Sequence, residues 1–446
     1  MSAGLNRRQI ASHWVRWLPM HGLARVAIRQ QAKRGAPLAQ FIRGDGGTEN
    51  PYPVIERVRE HGPISRTAVG AVSADYNIVR DVLRDSRFVT VSPQNVAGGP
   101  AVRWIFDKTD PGLANPVEPP SMLAVDPPEH TRFRKLVSRA FTPRAISALD
   151  DRIQEVTDEL LAGFAGQTRA DLVQDFAARL PVAIIAEMLS VPLESTPNLL
   201  KWGGDASPLL DIGINFGTYK RASDSLLAFD EFLGEHIARL RAAGGNGNSD
   251  AGILGTIVNS DDLTLREQKA TAALLLGAGF ETTVNLIGNG IVALQNNPEQ
   301  LQLLHDDPEL WPNAIEEILR FDSPVQVTGR IPTEDVEIAG FRLRKGRMLV
   351  LLLGGANRDP SVFVNPNAFD VTRDNAREHV AFSSGVHACL GASLARKEGV
   401  IALRALFENY PELALSGAPV HRGLVNLHGY EHLPATLGQR VAVPSS

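Results

Sequence analysis

A helical pattern without a break runs from Thr264 to Asn297-Pro298, and it sets the scale of anything this chain can fold into. Thr264-Leu265-Arg266-Glu267 fits a capping box, in which a hydroxyl and a carboxylate each satisfy the other residue's exposed amide. No proline or turn cluster follows for about 32 residues, a rod of roughly 48 Å at 1.5 Å per residue. Such a helix must cross a whole domain. The chain has 446 residues, of which 43% are hydrophobic and 21% charged, so one large core can form around it.

Shorter helical signals surround the long one. After Thr142-Pro143, a cap followed by a first-turn proline, Ile146, Leu149, Ile153, Val156, Leu160 and Phe164 form one apolar stripe. A second segment spans residues 170–190 with Pro181 inside it, and a third, 223–240, ends in the loop 244–248. Further helices are expected near 298–305, 312–321 and 391–410. Strand signals concentrate at Val336, Ile338, Phe341, Leu343, Met348, Val350 and Leu352, which predict a small antiparallel sheet, with a short hairpin near the C-terminus. Residues 92–120 and 359–378 read as long loops, and no linker separates two cores. The expected fold is mainly α with a small antiparallel β region, a single domain over residues 45–446 behind an arm of residues 1–44.

That arm is unusual in charge. The chain nets −5, which argues against nucleic-acid binding. Yet eight of its 45 Lys and Arg precede Asp45, the first acidic residue. Ile10, Trp14, Trp17 and Leu18 recur there at helical spacing before Pro19. A basic amphipathic segment either lies on an anionic membrane or packs its apolar side on its own domain. No apolar run reaches the roughly 18 residues that span a bilayer, so no transmembrane segment and a cytoplasmic location are expected.

Three constellations can carry chemistry. The only cysteine, Cys389, excludes intramolecular disulfides and zinc sites of paired cysteines. It lies in Phe382-Ser383-Ser384-Gly385-Val386-His387-Ala388-Cys389-Leu390-Gly391, at the start of a helix whose amides would lower its pKa. By itself a lone cysteine is ordinarily a small buried hydrophobe. Glu317 and Arg320 share a helix face at i, i+3, ordinarily a surface ion pair. In the long helix, Gly277-Ala278-Gly279-Phe280-Glu281-Thr282-Thr283 puts small residues beside an acid and a hydroxyl. That pattern is either a packing notch with a capped glutamate or room for something flat.

The cysteine segment resembles the haem-ligand loop of the cytochrome P450 family, F-G-x-G-x-H-x-C-x-G, with Ser383 in place of a usual glycine. Glu317-Ile318-Leu319-Arg320 resembles the family's E-x-x-R, and Ala278–Thr283 resembles its A-G-x-[DE]-T-T segment. The resemblance covers roughly residues 50–440. It implies haem b lying between the long helix and the cysteine loop, with Cys389 as axial thiolate and Phe382, Gly391, Ala278 and Gly279 against the haem. His130 and Arg134 in Asp126–Arg134, Arg330 after Gly329, and His387 would hold the propionates. Glu317, Arg320 and Arg373 would brace the loop; Thr282 would hydrogen-bond dioxygen, and Glu281 would relay protons.

The function so implied is a monooxygenase that inserts one atom of O2 into a hydrophobic small molecule, by hydroxylation or epoxidation. A ferredoxin-like donor and its reductase would supply electrons, docking on Lys135, Arg139, Arg396 and Lys397. A peroxide-driven peroxygenase, a non-catalytic haem sensor and a Cys/His hydrolase are the alternatives, and each leaves part of the pattern without a purpose. Residues 92–120, 199–228, 324–327 and 424–433, with Val96, Trp104, Ile105, Phe216 and Val325, are expected to line or cover an apolar pocket.

Overall fold

The computed structural model describes residues 7–43, 49–67, 70–92, 95, 99–242, 252–260 and 262–441. The junction of residues 44 and 45, Val96 and the loop 244–248 lie outside them. The long helix is present as Leu265–Asn296, 32 residues. Thr264 Oγ1 accepts from the Glu267 amide at 3.3 Å, and Glu267 Oε2 accepts from the Thr264 amide at 2.8 Å. Arg132 holds the other Glu267 oxygen at 2.5 Å. The helix is long and apolar enough to cross a membrane, but 78% of its apolar stretch lies inside the protein. It is a core helix. Leu276, Phe280, Ile287 and Ile291 are at most 1% exposed, and burying each such side chain contributes about 1.5–3 kcal/mol. Helices Arg179–Met188, Phe216–Ala242 and Ala392–Asn409 pack along it.

The helices Pro298–Asp306, Trp311–Phe321 and Ala392–Asn409 form where expected. The stripe after Thr142 instead divides into Pro143–Ser147 and Asp150–Ala162. Its inward phase survives, because the Ile153 amide still bonds the Leu149 carbonyl at 2.8 Å across the break, and Ile146 and Ile153 stay buried. The expected loop 92–120 contains a helix, Gly99–Thr109. Pro100 stands in its first turn, where the missing amide has no intrahelical partner to lose.

The sheet also departs from expectation. Val336–Ile338 and Phe341–Leu343 form a hairpin of their own, whereas Met348–Leu352 lies in the middle of a five-stranded sheet. Its order is Ser65–Arg66, Gly70–Ser73, Met348–Leu352, Val327–Pro332, Phe88–Thr90, with Gly70–Ser73 parallel to Met348–Leu352 and the other pairs antiparallel. Leu349, Val350, Leu351 and Leu352 are all buried, so the strand needs cover on both faces, which a two-stranded hairpin lacks.

The arm folds as helices Arg7–Trp17, Leu23–Lys33 and Pro37–Arg43, with one π-turn carrying the chain through Pro19. Trp17 Nε1 donates to the Ile214 carbonyl at 3.0 Å, and its ring meets Phe216 edge-on at 5.7 Å.

Candidate active site

The cysteine loop is shaped by two left-handed residues. Gly385 has φ +71°, and a Cβ there would stand 2.4 Å from the Leu83 carbonyl oxygen, so only glycine fits. Ser383 has φ 61° although it carries a side chain, and its hydroxyl is buried without a partner among the described residues. Left-handed backbone costs a side-chain-bearing residue about 1–2 kcal/mol. Ser383→Gly should therefore raise the unfolding midpoint, by about 1 kcal/mol of stability. A lowered midpoint would contradict the assigned strain. The Cys389 amide closes the loop onto the Phe382 carbonyl at 2.8 Å.

Water can touch Cys389, yet protein encloses it, so the sulfur opens onto an internal space. Burial pushes its thiol pKa up, against the Gly391 amide and the guanidinium groups of Arg134 and Arg396. This corrects the expectation that the helix start alone lowers it: desolvation of a thiolate outweighs one amide and two distant cations. Gly391 has nothing within 4 Å of an added Cβ, which leaves the space beside the sulfur clear. Phe382 packs under Arg396, whose guanidinium lies 4.6 Å from the ring centre.

Helix Trp311–Phe321 braces the loop through two adjacent carboxylates. Glu317 pairs with Arg320 at 2.6 and 2.8 Å and with Arg373 at 3.1 Å, and both glutamate and Arg320 are fully buried. Arg320 also donates to the carbonyls of Asn357, Pro366 and Ala368, and Arg373 to those of Val364, Asn365 and Ala368. The three residues are thus brought together as expected, and they tie down the segment before the cysteine loop.

Glu316 was missed. Neighbours on a helix point about 100° apart, so Glu316 clamps a different segment. It accepts from His379 Nε2 at 3.0 Å and from Arg396 at 2.8 and 3.1 Å, binding both flanks of the loop to one helix. Burial works to raise its pKa, but the bonds from His379 and Arg396 prevail and hold it down at about 2. The available signal was a second acid beside Glu317 in an otherwise apolar helix. Arg396 is therefore committed inward, and Lys397 pairs with Asp150 at 2.7 Å. Of the four expected docking cations, Lys135 and Arg139 are exposed, while the partly exposed Arg396 and Lys397 already have carboxylate partners.

In the long helix, Ala278 is exposed between half-buried Gly277 and Gly279, and an added Cβ at Gly277 would meet nothing within 4 Å. Gly279 differs: a Cβ there would come 2.8 Å from Ile185, so its missing side chain serves close helix packing. Thr282 Oγ1 donates to the Ala278 carbonyl at 3.1 Å. Glu281, 6% exposed, forms an ion pair with Arg422, a partner that sequence reasoning did not find. Arg422 lies 141 residues away and carries no motif.

A second carboxyl lies below. Glu398, on the cysteine helix, is 1% exposed and makes no hydrogen bond of ordinary geometry among the described residues. The Thr283 hydroxyl beside it is directed to the Gly279 carbonyl at 3.3 Å. Burial raises the Glu398 pKa to about 8. The folded chain therefore keeps a proton that the unfolded chain loses near 4.5. Stability falls as pH climbs through that window, by about 3 kcal/mol at pH 7. Glu398→Gln should remove the slope and be the more stable protein at pH 8. Equal midpoints for both proteins from pH 5 to 8 would contradict it.

Hydrogen-bond donors gather around Asp126. His387 Nε2 lies 3.1 Å from its carboxylate, and the His130 and His387 rings are 4.3 Å apart. Burial works to raise Asp126, but hydrogen bonds from His387 and Thr90 outweigh it and keep the pKa low. Burial, with His387 and Arg134 nearby, lowers His130 to about 4. Arg134 donates to the Val386 carbonyl at 3.3 Å. Arg330 is 6% exposed and hydrogen-bonds Thr328 and the Gly329 carbonyl, with no carboxylate bonded to it among the described residues. One carboxylate for two arginines and two histidines is a donor set that suits a further dianion.

The cytochrome P450 family model matches residues 219–416. Cytochrome P450 140 of Mycobacterium tuberculosis is 42% identical over 426 residues, 95% of this chain and 97% of that protein. This chain belongs to the cytochrome P450 family. The vitamin D(3) 25-hydroxylase of Pseudonocardia autotrophica is 37% identical over 412 residues, 88% of this chain and 95% of that one. The structure of P450BioI with hexadec-9Z-enoic acid ligated acyl carrier protein superposes with a TM-score of 0.80 at 32% identity, covering 87% of this chain and 99% of that one.

The protein is thus a P450 monooxygenase whose cofactor is haem, and its one cysteine, Cys389, is the axial thiolate. The residues present fit that group: a sulfur opening onto internal space, a helix notch at Gly277-Ala278, and two arginines with two histidine donors around a single carboxylate. Cys389 would be held as the thiolate, against the effect of burial, when it binds iron. Trp104, expected in the pocket, is 63% exposed, whereas Val325 bridges to Leu427.

Proposed function

We propose that this P450 hydroxylates or epoxidises a bulky, mainly apolar small molecule, with electrons delivered by a ferredoxin-like protein and its reductase. The observation that carries this reading is the Thr282 hydroxyl beside the open notch at Gly277-Ala278, with a buried acid next to it. When bound, haem supplies the thiolate-ligated iron at which dioxygen is activated. His130, Arg134, Arg330 and His387 would hold its propionates, and Phe382 and Gly391 would flank it. Thr282 holds a proton above the notch; Glu281 must release Arg422 to carry one in. The helix Thr196–Ala206 closes that side tightly, because a Cβ at Gly203 would stand 2.4 Å from the Phe280 ring.

Support for an apolar substrate comes from the relatives, whose names point to vitamin D(3) and to a long-chain acyl group. Support for an external donor comes from the single cysteine, which leaves no iron–sulfur site in the chain. Lys135 and Arg139 remain as exposed cations for docking. Thr282→Ala tests the proton path. Product formed per reductant should fall about tenfold or more, with the difference appearing as hydrogen peroxide. Unchanged coupling would refute the role. Substrate class is tested by haem spin-state shifts, expected with apolar ligands and absent with polar ones.

A further inference from the structure

The arm is partly inside out. Surface helices normally bury apolar residues and present polar ones. Here Trp14, Val15, Leu23 and Val26 are 48%, 45%, 63% and 55% exposed, while Arg16 is only 5% exposed. Arg16 is drawn inward by an ion pair with Glu118 and a 2.8 Å bond to the Phe106 carbonyl. Packing therefore satisfies the arm's polar side and leaves large apolar groups in water. Four such side chains in a short stretch offer apolar area to a contact surface.

The chemistry of that partner is written in the charges. Residues 1–43 hold eight basic side chains and no acid. Along Leu23–Lys33 the outward face begins apolar, with Leu23 and Val26, and becomes basic at Arg29 and Lys33. Beside it a cleft of about 280 Å³ is lined by Arg25, Arg29 and Arg43 with Ile28, Ile42 and Ile212. Arg25 is fixed there by a 2.8 Å bond to the Gly213 carbonyl. The surface of that cleft is mainly polar and contributed by guanidinium groups, which suits a phosphate.

We infer that the arm docks this enzyme on an anionic phospholipid surface. Trp14, Val15, Leu23 and Val26 enter the interface, and the arginine cleft receives a headgroup phosphate. Apolar insertion and attraction of Lys and Arg to anionic lipid act together in such binding. Because Trp17 and Arg25 hold residues 213–214, the bound arm would also bring that loop to the bilayer.

The test uses the haem-loaded full chain and co-sedimentation with vesicles of phosphatidylcholine, alone or with phosphatidylglycerol. Binding should require phosphatidylglycerol and weaken as salt is raised. The double variant Leu23→Ser, Val26→Ser should bind about tenfold or more weakly, and Arg29→Gln about fivefold. The carbon-monoxide spectrum of each variant confirms that the core is folded. Equal binding to both vesicles, or none to either, would overturn the proposal. So would binding of inorganic phosphate without vesicle binding, or a concentration-dependent dimer abolished by the Leu23 and Val26 changes, since either assigns the surface to another occupant.

Discussion

Cys389→Ser removes the strongly red-shifted Soret band from the reduced, carbon-monoxide-bound protein and lowers oxygenase turnover by more than about 100-fold. Even groups that only support a metal ligand typically cost about 10–100-fold when changed, and here the ligand itself is lost. Serine keeps the volume and the loop, whose closure depends on the Cys389 amide and the Phe382 carbonyl and not on sulfur. The variant should therefore fold and still take up haem. Its oxygen is a poor electron donor to iron compared with thiolate, which is the property that favours O–O cleavage. Retention of the red-shifted band, or of turnover, would remove Cys389 from the iron.

Glu317→Ala is expected to cost the most stability of any single change. It leaves two guanidinium groups, Arg320 and Arg373, buried without their carboxylate. Removing one partner of a buried pair costs about 3–5 kcal/mol, a large share of the 5–15 kcal/mol that holds a typical domain. The carbonyls around Arg320 solvate its charge but cannot neutralise it. Denaturant midpoints should report a loss near the upper end of that range, and the fraction of protein carrying a thiolate haem spectrum should fall with it. An exposed pair offers the contrast: breaking Lys220–Asp224, whose side chains are 37% and 43% exposed, should cost under about 1 kcal/mol. A comparable small loss at Glu317 would show that the network is not what holds the loop.

The parts of the fold that could be read in advance are those with local causes. The capping box at Thr264, the stop at Asn297-Pro298 and the start of the final helix after Gly391 each depend on residues a few positions apart. Motif residues close in sequence, such as Glu317 with Arg320, likewise met at the expected distance. Pairings across the chain were not legible. Met348–Leu352 alternates well enough for a hairpin, and only its burial on both faces reveals a central strand. Arg422 reaches Glu281 because a C-terminal strand passes the long helix, which no spacing announces. The two glycines around Ala278 look equivalent as letters, yet one faces open space and the other faces Ile185.

Charges show the same division most clearly. Composition already required that Cys389 stand without a disulfide and that the arm be basic. It could not say that the thiol would be raised by burial, that Arg396 would turn inward to Glu316, or that Trp14 and Leu23 would be left in water. Sequence by itself determined which groups exist and which near neighbours they have: one thiol, one long core helix, one E-x-x-R pair, one acid–hydroxyl pair. Tertiary structure decided which of those groups are desolvated and by whom they are met. The physical reason is that capping and i, i+3 contacts are local, whereas desolvation is a property of everything packed around a group.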